Sequence, residues 1–584
     1  MGYSLKTYLE NAKMPSVYEK ASAASGYEFS QGTGYQLPEY PFVAPPELGS
    51  DRVAQHNIVI VGGGLAGLTL ANALAQYGVK AILLDEDNTV GVKGASSRGI
   101  CYAQKTLEIF KRLGIYDRIA AKGVQWSVGR TFAGNDEVYS FDLRKQTTHN
   151  VSVQPPFINI QQFYVEGFLV EQLYAQENQS VELRWNNRIT AFEQNADVAT
   201  LSITTPAGDY KIKATHVVDC SGARSPFRAW CAASVTAKKG DDRWCIADVR
   251  FKNPPPVERH TWIEAPFNEG RAVWQHLMAD GVWRIDYQMR PDADPEEVSR
   301  EDVVRERING QLGREVPHDE YEIVWVGPYA YRSECLDQLR HGRVFFVGDA
   351  AHVVSPFGAR GGNSGVQDAD NLAWKLAAVA HRRAAPALLS SYHHERHEAA
   401  EHNVRVTNRT ARFLRPADGA ERVFRSAAIS LAKRHAFARQ LVNTGRMSAP
   451  NVYSQSPACT PGGGYAVQNV ALRWADGSGG DLADLLAWAQ GRLLLLVFGE
   501  LTAGQLRRAA AFASGNAGLC VQVVGSGGKA FAKEHVHDFD GALAACTGNA
   551  TWAWLRADGY IVGSGQQIDD AIDSAAKKAY GYAA

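Results

Sequence analysis

The order of apolar and polar residues predicts a β-α-β unit close to the start of the chain. Asn57–Val61 is a short apolar run typical of a buried strand, and an Ala- and Leu-rich helix follows it to about Tyr77. Val79–Leu84 predicts the second strand, which ends at Asp85. A glycine loop separates the first strand from the helix, so we expect a dinucleotide-binding fold to begin here.

A different pattern occupies the middle of the chain. Residues from about Val181 to Val218 are β-rich, and residues 240–330 alternate predicted strands with turns. The clearest hairpin joins Ala272–Leu277 to Val282–Met289 through Asp280-Gly281, a dipeptide typical of tight turns. This stretch therefore predicts a second sheet, separate from the opening unit.

The last third of the chain mixes helices and strands again. Val344–Val347 predicts a buried strand, Asp368 to about Arg382 predicts a helix, and a charged helical stretch continues to about Arg439. Ser454–Gly464 is rich in Ser, Pro and Gly and predicts a linker. Strands and helices alternate after it, which indicates a small α/β domain.

Residues 1–50 show neither a helical nor a strand period. Their Tyr and Phe side chains need burial, which favours an extended arm lying across the body of the protein or a neighbouring subunit. A poorly ordered tail is the alternative, and both stay open at this stage.

Composition narrows the classes of function. Lys and Arg number 61 against 62 Asp and Glu, a formal charge of −1, so no nucleic-acid partner is expected. The eight cysteines form no C-x-x-C pair, which argues against a zinc knuckle or a dithiol centre, and we predict no metal site. The chain shows no signal-peptide pattern, and its longest apolar run, Leu493–Phe498, is too short to span a bilayer. We expect a cytoplasmic protein with no membrane span.

The first glycine loop carries the spacing of a dinucleotide site. The motif is Gly62-x-Gly64-x-x-Gly67, and it follows a predicted strand and opens a predicted helix. A pyrophosphate would lie against the N-terminus of that helix, and Asp85 would accept a hydrogen bond from an adenosine ribose hydroxyl. The motif alone leaves NAD and FAD as alternatives.

A second glycine-rich stretch begins at Gly348 and favours FAD. A carboxylate that follows a strand can hold the ribityl hydroxyls of a flavin, and the backbone N–H groups of the following loop would face the electron-rich edge of the flavin ring. The residues expected to contact FAD in this stretch are Asp349, Pro356, Gly361, Gly362 and Asn363.

These stretches, in this order, resemble the flavoprotein aromatic hydroxylases, the family of para-hydroxybenzoate and phenol hydroxylase. The resemblance covers about residues 55–584 and is strongest at 57–109 and 343–396. It implies an α/β fold: a Rossmann-type FAD-binding domain with an inserted β-sheet substrate domain, plus a C-terminal thioredoxin-like α/β domain. The implied division is an N-terminal extension at 1–50, the FAD-binding domain at 51–240 and 331–400 (with part of the substrate sheet between about 125 and 160), the substrate-domain sheet at 241–330, a helical connection at 401–453, and a thioredoxin-like domain without C-x-x-C at 454–584.

The resemblance also assigns residues by position. Arg98 falls in a segment that crosses the flavin in the family, and Gln162 falls in one that lies near the cofactor, so both are expected to contact FAD. The chain departs from the family at Ala359, where a glycine is usual, and at Ser221, where an Asp linked to flavin and pyridine nucleotide is usual. Asp219 is the nearest carboxylate that could substitute.

Strand alternation in the predicted hairpin suggests an active-site face. A turn of two or four residues would place four polar side chains on one face: Gln275, Arg284, Asp286 and Gln288. Trp274, His276, Trp283, Ile285 and Tyr287 would then lie on the opposite face. An ordinary solvent-facing polar face is the alternative. We predict Arg284 beside the flavin, with Arg98 and Asp286 as further catalytic candidates.

The implied reaction is hydroxylation of a phenolic or similarly electron-rich aromatic, with NADH or NADPH as co-substrate. In the family, the nucleotide reduces FAD and O2 then forms a flavin C4a-hydroperoxide. The expected partners are the aromatic substrate, O2 and NAD(P)H, and a homodimer is possible. A flavin-dependent halogenase is one alternative, although its Trp-x-Trp-x-Ile-Pro signature is absent. A non-catalytic flavin-binding protein is the other.

Overall fold

The structure is a computed structural model. It describes residues 35, 37–50, 52–91, 98–145, 151–176, 179–313, 320–416, 419–442, 448–499, 501–524 and 535–582. Most of the predicted N-terminal extension, residues 1–34, lies outside the described residues.

The first part of the chain contains a β-α-β unit and the strands that flank it. Its elements are β1 Ala54–Val61, α1 Leu65–Gln76, β2 Ala81–Leu84, β3 Cys101–Ala103, α2 Gln104–Arg112, α3 Tyr116–Lys122, β4 Val124–Trp126, β5 Val128–Ala133, β6 Asp136–Asp142, β7 Phe157–Asn159, α4 Gln162–Ala175, β8 Val181–Arg184, β9 Arg188–Gln194, β10 Ala199–Thr205, β11 Gly208–Asp219 and α5 Phe227–Trp230.

Long strands dominate the middle of the chain, and long helices follow them. These elements are β12 Val235–Phe251, β13 Arg259–Ala265, β14 Arg271–Leu277, β15 Val282–Gln288, α6 Pro295–Val298, α7 Glu301–Leu312, β16 Tyr321–Leu336, β17 Arg340–His341, β18 Val344–Phe346, β19 His352–Val353, α8 Gly361–Ala380, α9 Ser390–Leu414, α10 Gly419–Ala432 and α11 Ala436–Val442.

A parallel sheet forms the nucleotide-binding core, as predicted. Its strands run in the order β18-β11-β1-β2-β8, with β9 and β10 added to β11 as an antiparallel pair. Ile58 to Val61 of β1 are all buried, as expected for a parallel strand covered on both faces. Val61 pairs with Leu84 on one side and Asp219 on the other, so the carboxyl ends of β1, β2 and β11 meet at one edge. Ligands bind at such an edge in open α/β sheets.

The second sheet is the inserted sheet, and its strands run in the order β19-β16-β12-β15-β14-β13-β5-β6. Strands β5 and β6 come from residues 128–142, within the range where part of this sheet was expected. Strand β12 has 17 residues and β16 has 16, and they extend past the expected limits at 240 and 330. The exact domain limits therefore stay predictions.

The hairpin in this sheet corrects the predicted faces. Leu277 pairs with Trp283, and the turn between the strands has three residues, Ala279–Gly281, rather than two or four. A one-residue change in register moves a whole strand's side chains to the other face. Arg284, Asp286 and Gln288 do share a face, as predicted. Trp274 and His276 lie on that same face, because they pair across the strands with Asp286 and Arg284 respectively. Gln275 lies on the other face, where it accepts a hydrogen bond from Gln311.

The C-terminal α/β domain forms a third sheet. Its elements are β20 Ala471–Trp474, β21 Gly479–Asp481, α12 Leu482–Ala489, β22 Leu494–Phe498, α13 Ala503–Gly515, β23 Leu519–Val524, β24 His535–His537, α14 Ala542–Cys546, β25 Trp552–Leu555, β26 Ile561–Gly565 and α15 Ala571–Ala579. Strands β22 and β23 are parallel, and β25 and β26 are antiparallel to their neighbours, in the order β23-β22-β25-β26. This is the arrangement of a thioredoxin-like core.

A buried ionic cluster joins the C-terminal domain to helices α8 and α9. Arg556 is fully buried and donates to both carboxylate oxygens of Glu395, at 2.6 and 2.8 Å, and to Asp558. Lys375 donates to the same Glu395 at 2.8 Å. The two cations and two carboxylates balance in charge, so the cluster tolerates burial only while all four partners are present.

Candidate active site

The first glycine loop has the shape of a phosphate cradle. Gly62 follows β1 with φ at +101°, and a Cβ there would lie 2.6 Å from the Cys220 carbonyl oxygen. A Cβ on Gly67 would lie 1.9 Å from the Gly62 carbonyl oxygen. Both positions therefore require glycine, and the loop leaves the N-terminus of α1 open to an anion. The spacing of Gly62, Gly64 and Gly67 found in the sequence fits the pyrophosphate of FAD.

Asp85 lies at the end of β2, where the sequence placed it. Its carboxylate accepts hydrogen bonds from the amides of Gly63, at 2.5 Å, and Asp87, at 2.8 Å. Burial raises the pKa of Asp85 to about 7, against the opposing effect of these two hydrogen bonds. The carboxylate therefore lies beside the glycine loop in the position expected for a ribose contact.

Gln162, the first residue of α4, bridges two segments. Its side chain donates to Glu166 at 2.8 Å and accepts from the Gly99 amide at 3.2 Å. The other Glu166 oxygen accepts from the Gly91 amide at 2.7 Å, and burial raises the pKa of Glu166. Glu166 thus organises the loops around Gln162, a role that the sequence did not assign to it. Direct contact between Gln162 and the cofactor stays a prediction.

The second flavin stretch is held in place by an arginine. Asp349 lies in a short turn after β18 with an exposed side chain. Arg228 donates to the carbonyl oxygens of Asp349, at 2.8 Å, and Ala350, at 2.9 Å, and pairs with Glu334 at 2.8 Å. This contact could not be predicted from the sequence, because only the fold brings residue 228 beside residue 349.

The loop from Pro356 leads into α8, which begins at Gly361. Gly361, Gly362 and Asn363 therefore supply the first N–H groups of a helix, which have no partner within the helix. The Asn363 side chain is already engaged: it donates to the carbonyls of Cys101, at 2.8 Å, and Ala359, at 2.6 Å, and accepts from the Ala103 amide at 2.9 Å. Asn363 thus ties β3 to this loop, and only its backbone is left for a flavin.

Ala359 shows why the family favours glycine at this position. Its φ is +56°, in the left-handed region that costs a residue with a Cβ roughly 1 to 2 kcal/mol. The methyl group packs against the small cluster around Trp126 and Phe157. The substitution is thus accommodated in the fold with backbone strain.

The candidate catalytic residues lie on the buried face of the inserted sheet. His276, Arg284 and Asp248 are cross-strand neighbours, and Trp274 lies beside Asp286 one row further along. Each of these five side chains is at most 6% exposed. The solvent-facing alternative for this face is therefore wrong.

One aromatic contact connects this sheet face to the second flavin loop. The Trp274 ring stacks on Trp244 with centroids 4.5 Å apart and meets the edge of Phe357 at 5.0 Å. Phe357 belongs to the loop that begins at Pro356. The sheet face and the flavin loop are therefore in contact at Phe357.

Burial strongly shifts the pKa values of the ionisable groups on this face. Burial raises the pKa of Asp286 to about 6, although the Arg284 cation opposes the shift. Burial, with the cations Arg259 and Arg284 nearby, lowers the pKa of His276 well below its usual value, so its imidazole is neutral. A carboxyl group that titrates near pH 6 in an enclosed site can act as a general base at neutral pH.

Arg284 contacts the backbone carbonyl of Arg98 rather than its side chain. Arg284 donates from Nη1 to the Arg98 carbonyl and from Nε to Asp248 at 3.3 Å. The Arg98 side chain is exposed, and its φ is +48°. The sequence thus identified two residues that lie together, while a catalytic role for the Arg98 side chain stays a prediction.

Asp219 is engaged within its own loop, and its proposed substitution for the family's Asp stays a prediction. It is fully buried at the end of β11 and accepts hydrogen bonds from Ser221, through its amide at 3.0 Å and its hydroxyl at 2.5 Å, and from the Ser225 hydroxyl. Asp219 therefore shapes the loop that carries Ser221.

The described residues contain no group of three or more His, Cys, Asp or Glu that could hold a metal ion. Each helix in these ranges is either too short or too polar to cross a bilayer.

Comparison with known proteins identifies the family of this chain. A model of the family described as FAD binding domain matches residues 55–407. A 3-(3-hydroxy-phenyl)propionate/3-hydroxycinnamic acid hydroxylase of Mycobacterium sp. (strain JLS) is 30% identical over 368 residues, 62% of this chain and 60% of the relative. A para-nitrophenol 4-monooxygenase of Pseudomonas sp. (strain WBC-3) is 26% identical over 63% of this chain and 89% of its own length. This chain thus spans about three fifths of the length of the first relative.

The fold has close structural neighbours over nearly its whole length. The flavin-dependent monooxygenase PieE, in complex with FAD and substrate, superimposes with a TM-score of 0.74 at 22% identity, covering 90% of this chain and 98% of PieE. A ternary complex of aklavinone-11 hydroxylase with FAD and aklavinone gives a TM-score of 0.69 at 20% identity, covering 91% and 99% of the two chains. These likenesses support the Rossmann-type domain with its inserted sheet and C-terminal domain.

Proposed function

Since the chain belongs to the FAD binding domain family, we propose that it is an FAD-dependent monooxygenase. It hydroxylates a phenolic or similarly electron-rich aromatic with NADH or NADPH and O2. The observation that carries this proposal is the buried face where Arg284 and Asp286 lie beside Trp274, itself in contact with the second flavin loop. The names of the two relatives, which describe hydroxylation or oxidation of phenols, support the same substrate class.

FAD would be held by the two loops already described. The first contributes Gly62, Gly64, Gly67 and Asp85, and the second contributes the N-terminus of α8. When bound, FAD supplies the oxidation chemistry, and the protein supplies orientation, electrostatics and protection from water.

The charged pair on the inserted sheet would act on the substrate. Asp286 can accept the phenolic proton, because its pKa of about 6 leaves it mostly ionised at neutral pH yet basic enough to take a proton. Arg284 would stabilise the resulting phenolate by charge, and the Trp274 and Phe357 rings would pack against the apolar part of the substrate. An ionised phenol is more electron-rich and therefore more reactive toward oxidation.

The test uses purified protein loaded with FAD. It is incubated with NADH or NADPH, with and without 3-(3-hydroxyphenyl)propionate or para-nitrophenol, while flavin absorbance and O2 are recorded. Substrate-stimulated O2 uptake with a hydroxylated product is the expected result. Flavin that neither nucleotide reduces with any aromatic present would refute the proposal, and a bromide-dependent product would favour a halogenase.

Two variants connect the test to the site. Asp286→Asn should reduce product formation at least tenfold, because it removes the proton acceptor. Asp292→Asn, a change of the same chemistry at a side chain that is 78% exposed, should leave the rate unchanged. We further propose a cytoplasmic location, which the eight free thiols support, and a homodimer as the assembly.

A further inference from the structure

The segment before β1 is an ordered arm along the FAD-binding domain over residues 37–50. The Tyr40 ring stacks on Trp185 with centroids 4.6 Å apart, and the buried Glu47 pairs with Arg184 at 2.9 Å. The arm lies outside the stretch that matches the family, residues 55–407. Of the alternatives left open by the sequence, an arm lying on the body of the protein is therefore the one found for these residues.

The arm brings Tyr35 into the candidate active site. Its side chain is 8% exposed, its ring lies 4.9 Å from that of Phe163 on α4, and its hydroxyl donates to Asp248 Oδ2 at 2.7 Å. Burial and the Asp248 carboxylate raise the pKa of Tyr35 well above its usual value. The hydroxyl therefore stays protonated and remains a donor throughout the physiological pH range.

Asp248 links the Tyr35 hydroxyl to Arg284 through hydrogen bonds. One carboxylate oxygen accepts from Tyr35, and the other accepts from Arg284 Nε at 3.3 Å. Because both oxygens are engaged, the Tyr35 hydroxyl fixes the rotation of the carboxylate, and the carboxylate fixes the guanidinium. Arg284 in turn donates to the Arg98 carbonyl, in the segment expected to cross the flavin.

We propose that Tyr35 is a positioning residue that holds Arg284, through Asp248, in its working orientation, so that the N-terminal arm completes the active site. The inference rests on the proposed function only in assigning the site to an oxidation. A buried guanidinium at a site that binds flavin acts through its direction and distance, and small displacements have large effects on rate.

The experiment compares two tyrosines of the same arm. Tyr35→Phe removes the hydroxyl at Asp248, and Tyr40→Phe removes a hydroxyl from the residue that stacks on Trp185. Three quantities are measured on the full chain loaded with FAD: the thermal midpoint, the reduction potential of the flavin in dye-equilibrated photoreduction, and the rate of flavin reduction by NADH or NADPH with a phenol present.

Tyr35→Phe should lower the reduction rate about tenfold or more and shift the flavin potential to lower values, because the cation that favours the electron-rich reduced ring is less well held. Tyr40→Phe should leave both quantities unchanged. Wild-type potential and rate in Tyr35→Phe, or equal losses in the two variants, would overturn the proposal.

A double-mutant cycle tests the route through Asp248. Once Asp248→Asn is present, adding Tyr35→Phe should cause little further change in potential or rate, because the intermediate carboxylate is gone. A full, undiminished Tyr35→Phe effect in that background would contradict the inference. If Tyr35→Phe alone fails to retain FAD, Asp248→Asn is compared with the wild type instead, and wild-type potential and rate in that variant would contradict the inference.

The two proposals fail in different ways. If no aromatic stimulates reduction of the wild-type flavin, the proposed function is wrong. The flavin potential is measured without substrate or nucleotide, so a shift specific to Tyr35→Phe would still support the positioning role.

Discussion

Asp286→Asn is expected to make the protein more stable and less active. Burial raises the pKa of the Asp286 carboxyl from an ordinary value of 3.8 to about 6. A difference of roughly 2 units corresponds to roughly 3 kcal/mol by which the ionised carboxylate opposes folding. Because the folded-state pKa is the higher one, this cost is fully present above about pH 6, shrinks as the pH falls through 6, and vanishes below about pH 4.

The variant should therefore be stabilised by about 3 kcal/mol at pH 8 and by about half of that at pH 5. Urea unfolding followed by tryptophan fluorescence, at equal and saturating FAD at both pH values, measures the free energy of unfolding, and Asp292→Asn serves as the exposed control. A gain that is equal at pH 8 and pH 5, or a loss of stability at pH 8, would refute the assignment of a buried, ionised Asp286.

Three further predictions concern the loops and the domain contact. Gly67→Ala should abolish FAD binding, measured as flavin content after purification, because its Cβ would overlap a backbone oxygen at 1.9 Å. Arg556→Met should cost about 3 to 5 kcal/mol in denaturant unfolding, since it leaves the buried Glu395 without its bidentate partner; a cost below 1 kcal/mol would contradict the ionic cluster. Ala359→Gly should leave stability unchanged or raise it by up to about 1 kcal/mol, whereas Ala373→Gly inside α8 should lower it by about 1 kcal/mol or more. A melting temperature that Ala359→Gly lowers as much as Ala373→Gly does would show the strain argument to be wrong.

Local sequence predicted the two glycine loops because each loop is short and contiguous. The glycine spacing, the acid at the end of β2 and the turn after β18 all lie within a few residues of the strands that position them. The conformations at Gly62 and Ala359 confirm that these positions demand a left-handed or unhindered backbone. Local backbone requirements of this kind appear directly in the residue types.

Prediction from the sequence was wrong or incomplete where strand register and long-range contacts decide which side chains lie together. The faces of β14 depended on whether the turn has an even or an odd number of residues, and the three-residue turn Ala279–Gly281 reversed them. Arg228, Glu166 and Tyr35 each act across more than 70 residues of chain, on Asp349, Gly91 and Asp248. No periodic pattern can reveal such pairings.

The chain by itself thus determined the fold class, the two flavin loops and the polar strand that carries Arg284 and Asp286, because periodicity and backbone-specific residues are local properties. Tertiary structure alone decided which charges share a buried face, how Asp286 acquires a pKa of about 6, and that the arm before β1 delivers Tyr35 to Asp248. Burial and electrostatic coupling depend on distances in space, and those distances exist only once the sheets have packed together.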